Sequence, residues 1–248
     1  MEARQDRSVT DASTSTAGPI ALVGSGEFLP QMVDVDRWLL AGRPPRAAFL
    51  PTAAGEEGAA SVSRWLKLGT DHYTAMGIEP VAVPVLNADD ANREDLAALI
   101  DDVGLIYLSG GNPGHIARSL RNSLVWGAIV RAWQNGAALA GCSAGAIALT
   151  ASAIDVRGGG RTSEPATNLI EHVTVIPHFD RMAHWFPNMV EQALAQLQPG
   201  FHLVGVDEDT ALVGGLTEWT VMGRQRVTVF GPGGPIEFTN GQRLSLPR

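Results

Sequence analysis

The segment Gly141-Cys142-Ser143-Ala144-Gly145 constrains this chain more than any other, because it sets a serine at the centre of G-x-S-x-G. It follows the apolar run Ala137-Ala138-Leu139-Ala140 and leads into Ala146-Ile147-Ala148-Leu149. That context predicts a strand, a tight turn and a helix. The turn is so sharp that its central residue must take a strained backbone, and only small neighbours let the chain pass. The serine hydroxyl then stands clear of the sheet, and the amide of Ala144 faces the same space. A nucleophile and half of an oxyanion hole would thus come from one turn. A Gly/Ala-rich corner that merely packs closely is the competing reading, so the rest of the chain has to decide.

The surrounding pattern is that of an α/β domain. Short apolar runs, Pro19–Val23, Arg46–Leu50, Val81–Leu86 and Leu105–Leu108, alternate with longer mixed segments. Pro84 inside the third run favours a sheet edge. Ser61–Met76 has Trp65, Leu68 and His72 at three- and four-residue spacings and reads as a helix, as do Asp95–Val103, Pro113–Leu120 and Leu124–Asn135. Strands alternating with helices imply a parallel sheet covered on both faces. After the elbow helix, Ile154–Thr167 is polar and glycine-rich and reads as a loop. Thr174–Pro177 reads as a short strand and Asn188–Leu197 as a helix. Leu203–Leu246 reads as mixed or antiparallel strands extending the same sheet. Residues 1–18, rich in Ser, Thr, Asp and Ala, read as a disordered tail, and residues 19–248 as one domain.

Composition narrows the function classes. A formal net charge of −8 argues against general nucleic-acid binding. No apolar run approaches the roughly 18 residues of a membrane span, and the N-terminal tail lacks the apolar core of a secretory signal. The single cysteine, Cys142, excludes an intramolecular disulfide framework or a cysteine-rich zinc site and fits a reducing cytoplasm.

A serine nucleophile needs a base within hydrogen-bond reach and an acid to orient that base. Of the six histidines, His178 directly follows a strand in Val175-Ile176-Pro177-His178-Phe179-Asp180-Arg181, where the ends of parallel strands gather ligands. His184 is the reserve; His72 and His172 read as structural. For the acid, Asp155, Glu164 and Asp180 all lie nearby in sequence, and spacing alone leaves the three open. Ser109-Gly110-Gly111-Asn112 follows a buried strand and precedes a helix, so a second oxyanion amide is expected from Gly110 or Gly111. Asn112 either orients substrate or caps the helix, with capping favoured. Gly24-Ser25-Gly26 resembles the start of a dinucleotide loop, but Leu29 stands where the third glycine is required. A metal site on His178, Asp180 and His184 lacks any recognised ligand spacing.

Ser109-Gly-Gly-Asn112, Gly141-Cys-Ser-Ala-Gly-Ala146, Pro177-His-Phe179 and Gly205-Val-Asp-Glu-Asp-Thr-Ala211, in that order, resemble the peptidase S51 family, which includes dipeptidase E and cyanophycinase. The likeness runs from about Ala21 to about Phe230. It implies the fold of class I glutamine amidotransferases, a flavodoxin-like three-layer α/β sandwich with a mostly parallel central sheet. By motif, Ser143 matches the nucleophile, His178 the base, and Gly111 and Ala144 the oxyanion donors. The resemblance puts the acid in the loop before the histidine, at Asp155, ahead of Asp180 and Glu164. Family members cleave bonds that follow aspartyl residues, and Arg181 matches an arginine-bearing stretch suited to the substrate carboxylate. The implied activity is a serine hydrolase of small peptides with no metal and no organic cofactor. The expected partner is a small peptide, with neither nucleic acid nor membrane, and a homodimer is left open. Three other readings stand beside it: a cysteine-dependent amidotransferase-like hydrolase using Cys142, an α/β-hydrolase, and a non-catalytic binding or regulatory protein.

Overall fold

The computed structural model describes residues 17–154, 163–186, 188–231 and 233–247. Five parallel strands form the centre of the fold: β1 (Ile20–Val23), β2 (Arg46–Leu50), β3 (Glu79–Ala82), β4 (Leu105–Leu108) and β5 (Ala138–Cys142). They run in the spatial order β1-β5-β4-β2-β3, so β3 is the edge that Pro84 suggested, although the strand ends at Ala82. Alternate residues of each strand face opposite sides, as the period of two requires. Leu22, Ala48, Leu50, Ile106, Leu108 and Leu139 enter one core, while Ala21, Val23, Phe49, Tyr107, Ala140 and Cys142 enter the other. The second core is covered by α1 (Val33–Leu40) and α2 (Ala59–Ala75). The first is covered by α3 (Ala88–Ala91), α4 (Glu94–Ala98), α5 (Pro113–Leu120), α6 (Leu124–Gln134) and α7 (Ala144–Leu149). This is the three-layer arrangement expected, with helix α4 shorter than the Asp95–Val103 reading.

A hairpin, β6 (Ser152–Ile154) with β7 (Ser163–Pro165), follows the elbow helix, and then come β8 (Val173–Pro177), α8 (Phe179–Trp185) and α9 (Met189–Gln196). The C-terminal strands correct the sequence reading in one respect, since they serve two sheets rather than one. Strands β10 (Thr210–Gly214), β11 (Glu218–Gly223) and β14 (Arg243–Ser245) extend the central sheet antiparallel from β1. Strands β9 (His202–Val206), β12 (Arg226–Gly231) and β13 (Gly234–Thr239) join β8 in a separate four-stranded sheet. The edge of β1 is occupied by β10, so β9 pairs with β8 instead, in parallel. Residues 207–209 carry the chain from one sheet to the other, with Asp209 in the left-handed region at φ 51°. Two sheets therefore converge at this short turn and at the end of β8.

Candidate active site

The β5–α7 corner is the elbow that the sequence describes. Ser143 sits at φ 52°, ψ −112°, a conformation that costs on the order of 1–3 kcal/mol for a non-glycine residue. The corner is held by Ser143 N–H donating to the Val23 carbonyl at 2.9 Å and by Ile147 N–H donating to the Ser143 carbonyl at 3.1 Å. Both flanking glycines are sterically required. A Cβ on Gly141 would lie 2.4 Å from the Gly145 carbonyl oxygen, and one on Gly145 would lie 2.1 Å from that of Leu108.

His178 closes β8 in the left-handed region, at φ 48°, ψ 38°, and begins α8. Its Nε2 is 3.0 Å from Ser143 Oγ and its Nδ1 is 3.0 Å from Glu208 Oε1. The three side chains thus form one hydrogen-bonded line of hydroxyl, imidazole and carboxylate. With Nδ1 carrying the proton and donating it to Glu208, Nε2 is left to accept the serine proton, the tautomer a general base needs.

The carboxylate in this line was not among the sequence candidates. Asp155 lies outside the described residues. Asp180, two residues past the histidine, uses Oδ1 to accept the backbone N–H of Glu208 at 2.9 Å and so holds the turn that carries Glu208. Glu164 is paired with Arg118 at 2.6 Å, over the start of α5. Glu208 belongs to the Gly205–Ala211 motif, and its signal lay there: three successive carboxylates at the end of an apolar strand. Its neighbours turn elsewhere. Asp207 accepts the Arg226 amide at 3.2 Å, and Asp209 accepts from Gln31 at 3.1 Å. The Glu208 carbonyl is fixed by Thr210 and Gln225, each donating at 3.0 Å. Arg181 lies beside the same carboxylates, its Nε 3.4 Å from Glu208 Oε2 and 3.6 Å from Asp180 Oδ2.

Opposite the elbow, the β4–α5 turn supplies Gly111, at φ 145°. Within this turn Ser109 N–H donates to Leu50 O, Gly110 N–H to Glu27 Oε1 and Asn112 N–H to Ala53 O. Gly111 lies between these anchored residues. It lines a cleft of about 60 Å³ together with Pro113, Ser143, Ala144, Ile147, Pro177, His178 and Met182. Gly111 and Ala144 therefore both border the space in front of the serine hydroxyl. Asn112 caps α5, its side chain accepting the His115 amide at 3.1 Å and donating to Glu56 at 3.2 Å.

Cys142 is fully buried and directs its sulfur toward Glu27 at 2.8 Å, away from the cleft. Burial, with the Glu27 carboxylate beside it, pushes the thiol well above its ordinary range. Of the other histidines, His184 is exposed on α8, His202 Nε2 lies 2.9 Å from the Pro247 carbonyl, and three more have partners away from the cleft. His72 pairs with Asp36 at 2.7 Å, His115 with the Leu86 carbonyl at 2.7 Å, and His172 with the Leu246 carbonyl at 2.9 Å. Among the described residues no group of three or more His, Cys, Asp or Glu side chains could hold a metal ion. No helix among them is long and apolar enough to cross a membrane.

Comparison with known proteins assigns the chain to a family. The model of peptidase family S51 matches residues 20–217, and the chain belongs to that family. The protein is therefore grouped with peptidases. Its relatives include the uncharacterized peptidase YgaJ of Bacillus subtilis (strain 168), 28% identical over 172 residues, which span 65% of this chain and 68% of YgaJ. A peptidase from an acI-B1 actinobacterium has a solved structure that superposes with a TM-score of 0.85 at 35% identity, over 93% of this chain and 98% of that one. A structure named for peptidase E of Listeria monocytogenes EGD-e shares the fold, with a TM-score of 0.62 at 16% identity, over 84% of this chain and all of that one.

Proposed function

We propose that the protein is a serine peptidase that hydrolyses small peptides, with Ser143 as nucleophile, His178 as general base and acid, and Glu208 as the group that orients His178. The observation that carries this reading is the position of one imidazole, 3.0 Å from both Ser143 Oγ and Glu208 Oε1. Attack by Ser143 Oγ on the scissile carbonyl passes the hydroxyl proton to His178 Nε2. Collapse of the tetrahedral intermediate returns that proton to the leaving amine and leaves an acyl-serine. Water, deprotonated by the same nitrogen, then releases the acid product. The amides of Gly111 and Ala144 stabilise the oxyanion in both steps, each worth about 3 kcal/mol. A bond following an aspartyl residue is the preferred substrate on this reading, as family membership suggests.

The test is hydrolysis of a panel of Asp-X, Glu-X, Ala-X and Leu-X dipeptides by wild type and Ser143→Ala, both verified as folded. Cleavage by wild type, fastest for Asp-X and abolished in the variant, is expected. Cleavage that survives in Ser143→Ala would refute the assignment of the nucleophile. Faster cleavage of Leu-X than Asp-X would refute the acidic preference alone.

A further inference from the structure

The loop that follows β1, residues 24–29, plays no part in the chemistry described so far, yet it touches three of the turns that build the site. Gly24 and Gly26 permit close packing against the acid's turn. A Cβ on Gly24 would lie 2.0 Å from the Asp207 carbonyl oxygen, and one on Gly26, at φ 91°, would lie 2.6 Å from Asp209 Oδ1. Ser25 Oγ meets the Asp209 amide at 3.4 Å. The glycines that resembled a phosphate loop therefore serve contact between two loops.

Glu27, in the same loop, reaches the other two turns. It is buried, with 9% of its surface exposed. One carboxylate oxygen accepts the Gly110 N–H at 2.9 Å, and the other lies 2.8 Å from Cys142 Sγ, whose thiol donates. Gly110 directly precedes Gly111, and Cys142 directly precedes Ser143 and Ala144. The packing is tight enough that a Cβ on Gly110 would lie 2.9 Å from Glu27 Oε1 and 3.3 Å from Ser143 Cβ. The cleft is lined by Gly111, Ser143 and Ala144, and Glu27 is not part of that lining.

We propose that Glu27 is a positioning residue, a buried clamp that fixes the β4–α5 turn against the elbow so that the Gly111 and Ala144 amides converge on one oxyanion. This deepens the serine-peptidase reading and rests on it. A negative charge behind an oxyanion hole opposes the charge developing in front of it, so the benefit of Glu27 must lie in geometry rather than in its field. Charge-assisted hydrogen bonds to two donors suit that purpose, because they are short and directional. The buried, protonated state of the Cys142 thiol keeps it a donor.

The experiment measures kcat, KM and the affinity of a peptide boronate, a mimic of the tetrahedral intermediate, in wild type, Glu27→Ala, Glu27→Gln, Cys142→Ser and Cys142→Ala. Glu27→Ala is expected to lose on the order of 10²-fold in kcat, with KM within about threefold and boronate affinity falling in parallel with kcat/KM. Glu27→Gln still offers an oxygen to Gly110 N–H and is expected to stay within about fivefold of wild type. Cys142→Ser keeps a donor and is expected to exceed Cys142→Ala in boronate affinity. Wild-type kcat in Glu27→Ala would overturn the clamp, as would a loss in Glu27→Gln equal to that in Glu27→Ala. Should Glu27→Ala not fold, equal boronate affinity in Cys142→Ser and Cys142→Ala would overturn it instead. Wild type that neither cleaves peptide nor binds boronate would remove the serine-peptidase reading and the clamp with it, an outcome distinct from either of these.

Discussion

Replacing Glu208 by Gln keeps the length of the side chain and removes its charge, which isolates what the carboxylate contributes to His178. During attack by Ser143 the imidazole becomes cationic, and the carboxylate lies 3.0 Å away. Two unit charges at that separation attract by about 5 kcal/mol at an effective dielectric of about 20, and by about 1.4 kcal/mol at that of water. The Glu208 side chain is 31% exposed and shares its charge with Arg181 at 3.4 Å, so the value belongs between these limits, at about 3 kcal/mol. The expected loss in kcat is on the order of 10²-fold. The amide can also present its NH₂ to Nδ1 and stabilise the wrong tautomer, which acts in the same direction. Steady-state kinetics on the best dipeptide of the panel, with thermal unfolding as a check on folding, measure the effect. Asp155→Asn and Glu164→Gln serve as comparisons and are expected to stay within about threefold. A Glu208→Gln enzyme within threefold of wild type, alongside an Asp155→Asn enzyme reduced by 10², would refute the assignment.

Gly111→Ala is expected to lower kcat by 10²-fold or more, because the new Cβ would lie 2.4 Å from the Ala53 carbonyl oxygen at a backbone φ of 145° and must displace the oxyanion turn; kinetics with a circular-dichroism control measure it. Iodoacetamide at pH 8 should leave activity intact, since Cys142 is buried and its raised pKa keeps it a thiol at that pH; mass spectrometry should find the carboxamidomethyl group only after denaturation. Asp36→Ala leaves the buried His72 nitrogen without its 2.7 Å partner and should cost about 1–3 kcal/mol, read as a fall in Tm. Burial raises the Asp36 pKa above 3.8 in the folded protein, so this group's contribution to stability falls as pH rises from 3.8 through the folded value. Asp36→Asn should remove that slope from a series of Tm measurements against pH.

The parts of this site that were legible in the sequence are local. The elbow needs its glycines within two residues of Ser143, and the strand-end position of His178 shows in five consecutive residues. The turn at Gly110-Gly111 was legible for the same reason, since a glycine pair between an apolar run and a proline-led helix admits few backbones, but the residues alone left open which of the two faces the serine. Glu208 was not, because it lies 30 residues beyond His178 and reaches it only where the chain crosses between sheets. Nothing in the alternation of Leu203–Val206 or Ala211–Val213 says that these strands belong to different sheets. That choice depends on which edge is vacant, a property of the assembled fold. Arg181 shows the same limit: its adjacency to His178 in sequence does not reveal that the first turn of α8 carries the guanidinium to the carboxylate of Glu208.

The central claim, that Ser143 is a nucleophile activated by His178, is tested most directly by treating the folded protein with a fluorophosphonate and locating the adduct by peptide mass mapping. One adduct per chain on Ser143, absent from Ser143→Ala and at least tenfold slower to form in His178→Ala, is the expected result. An adduct on another residue, or none on a protein that still cleaves peptides, would contradict it.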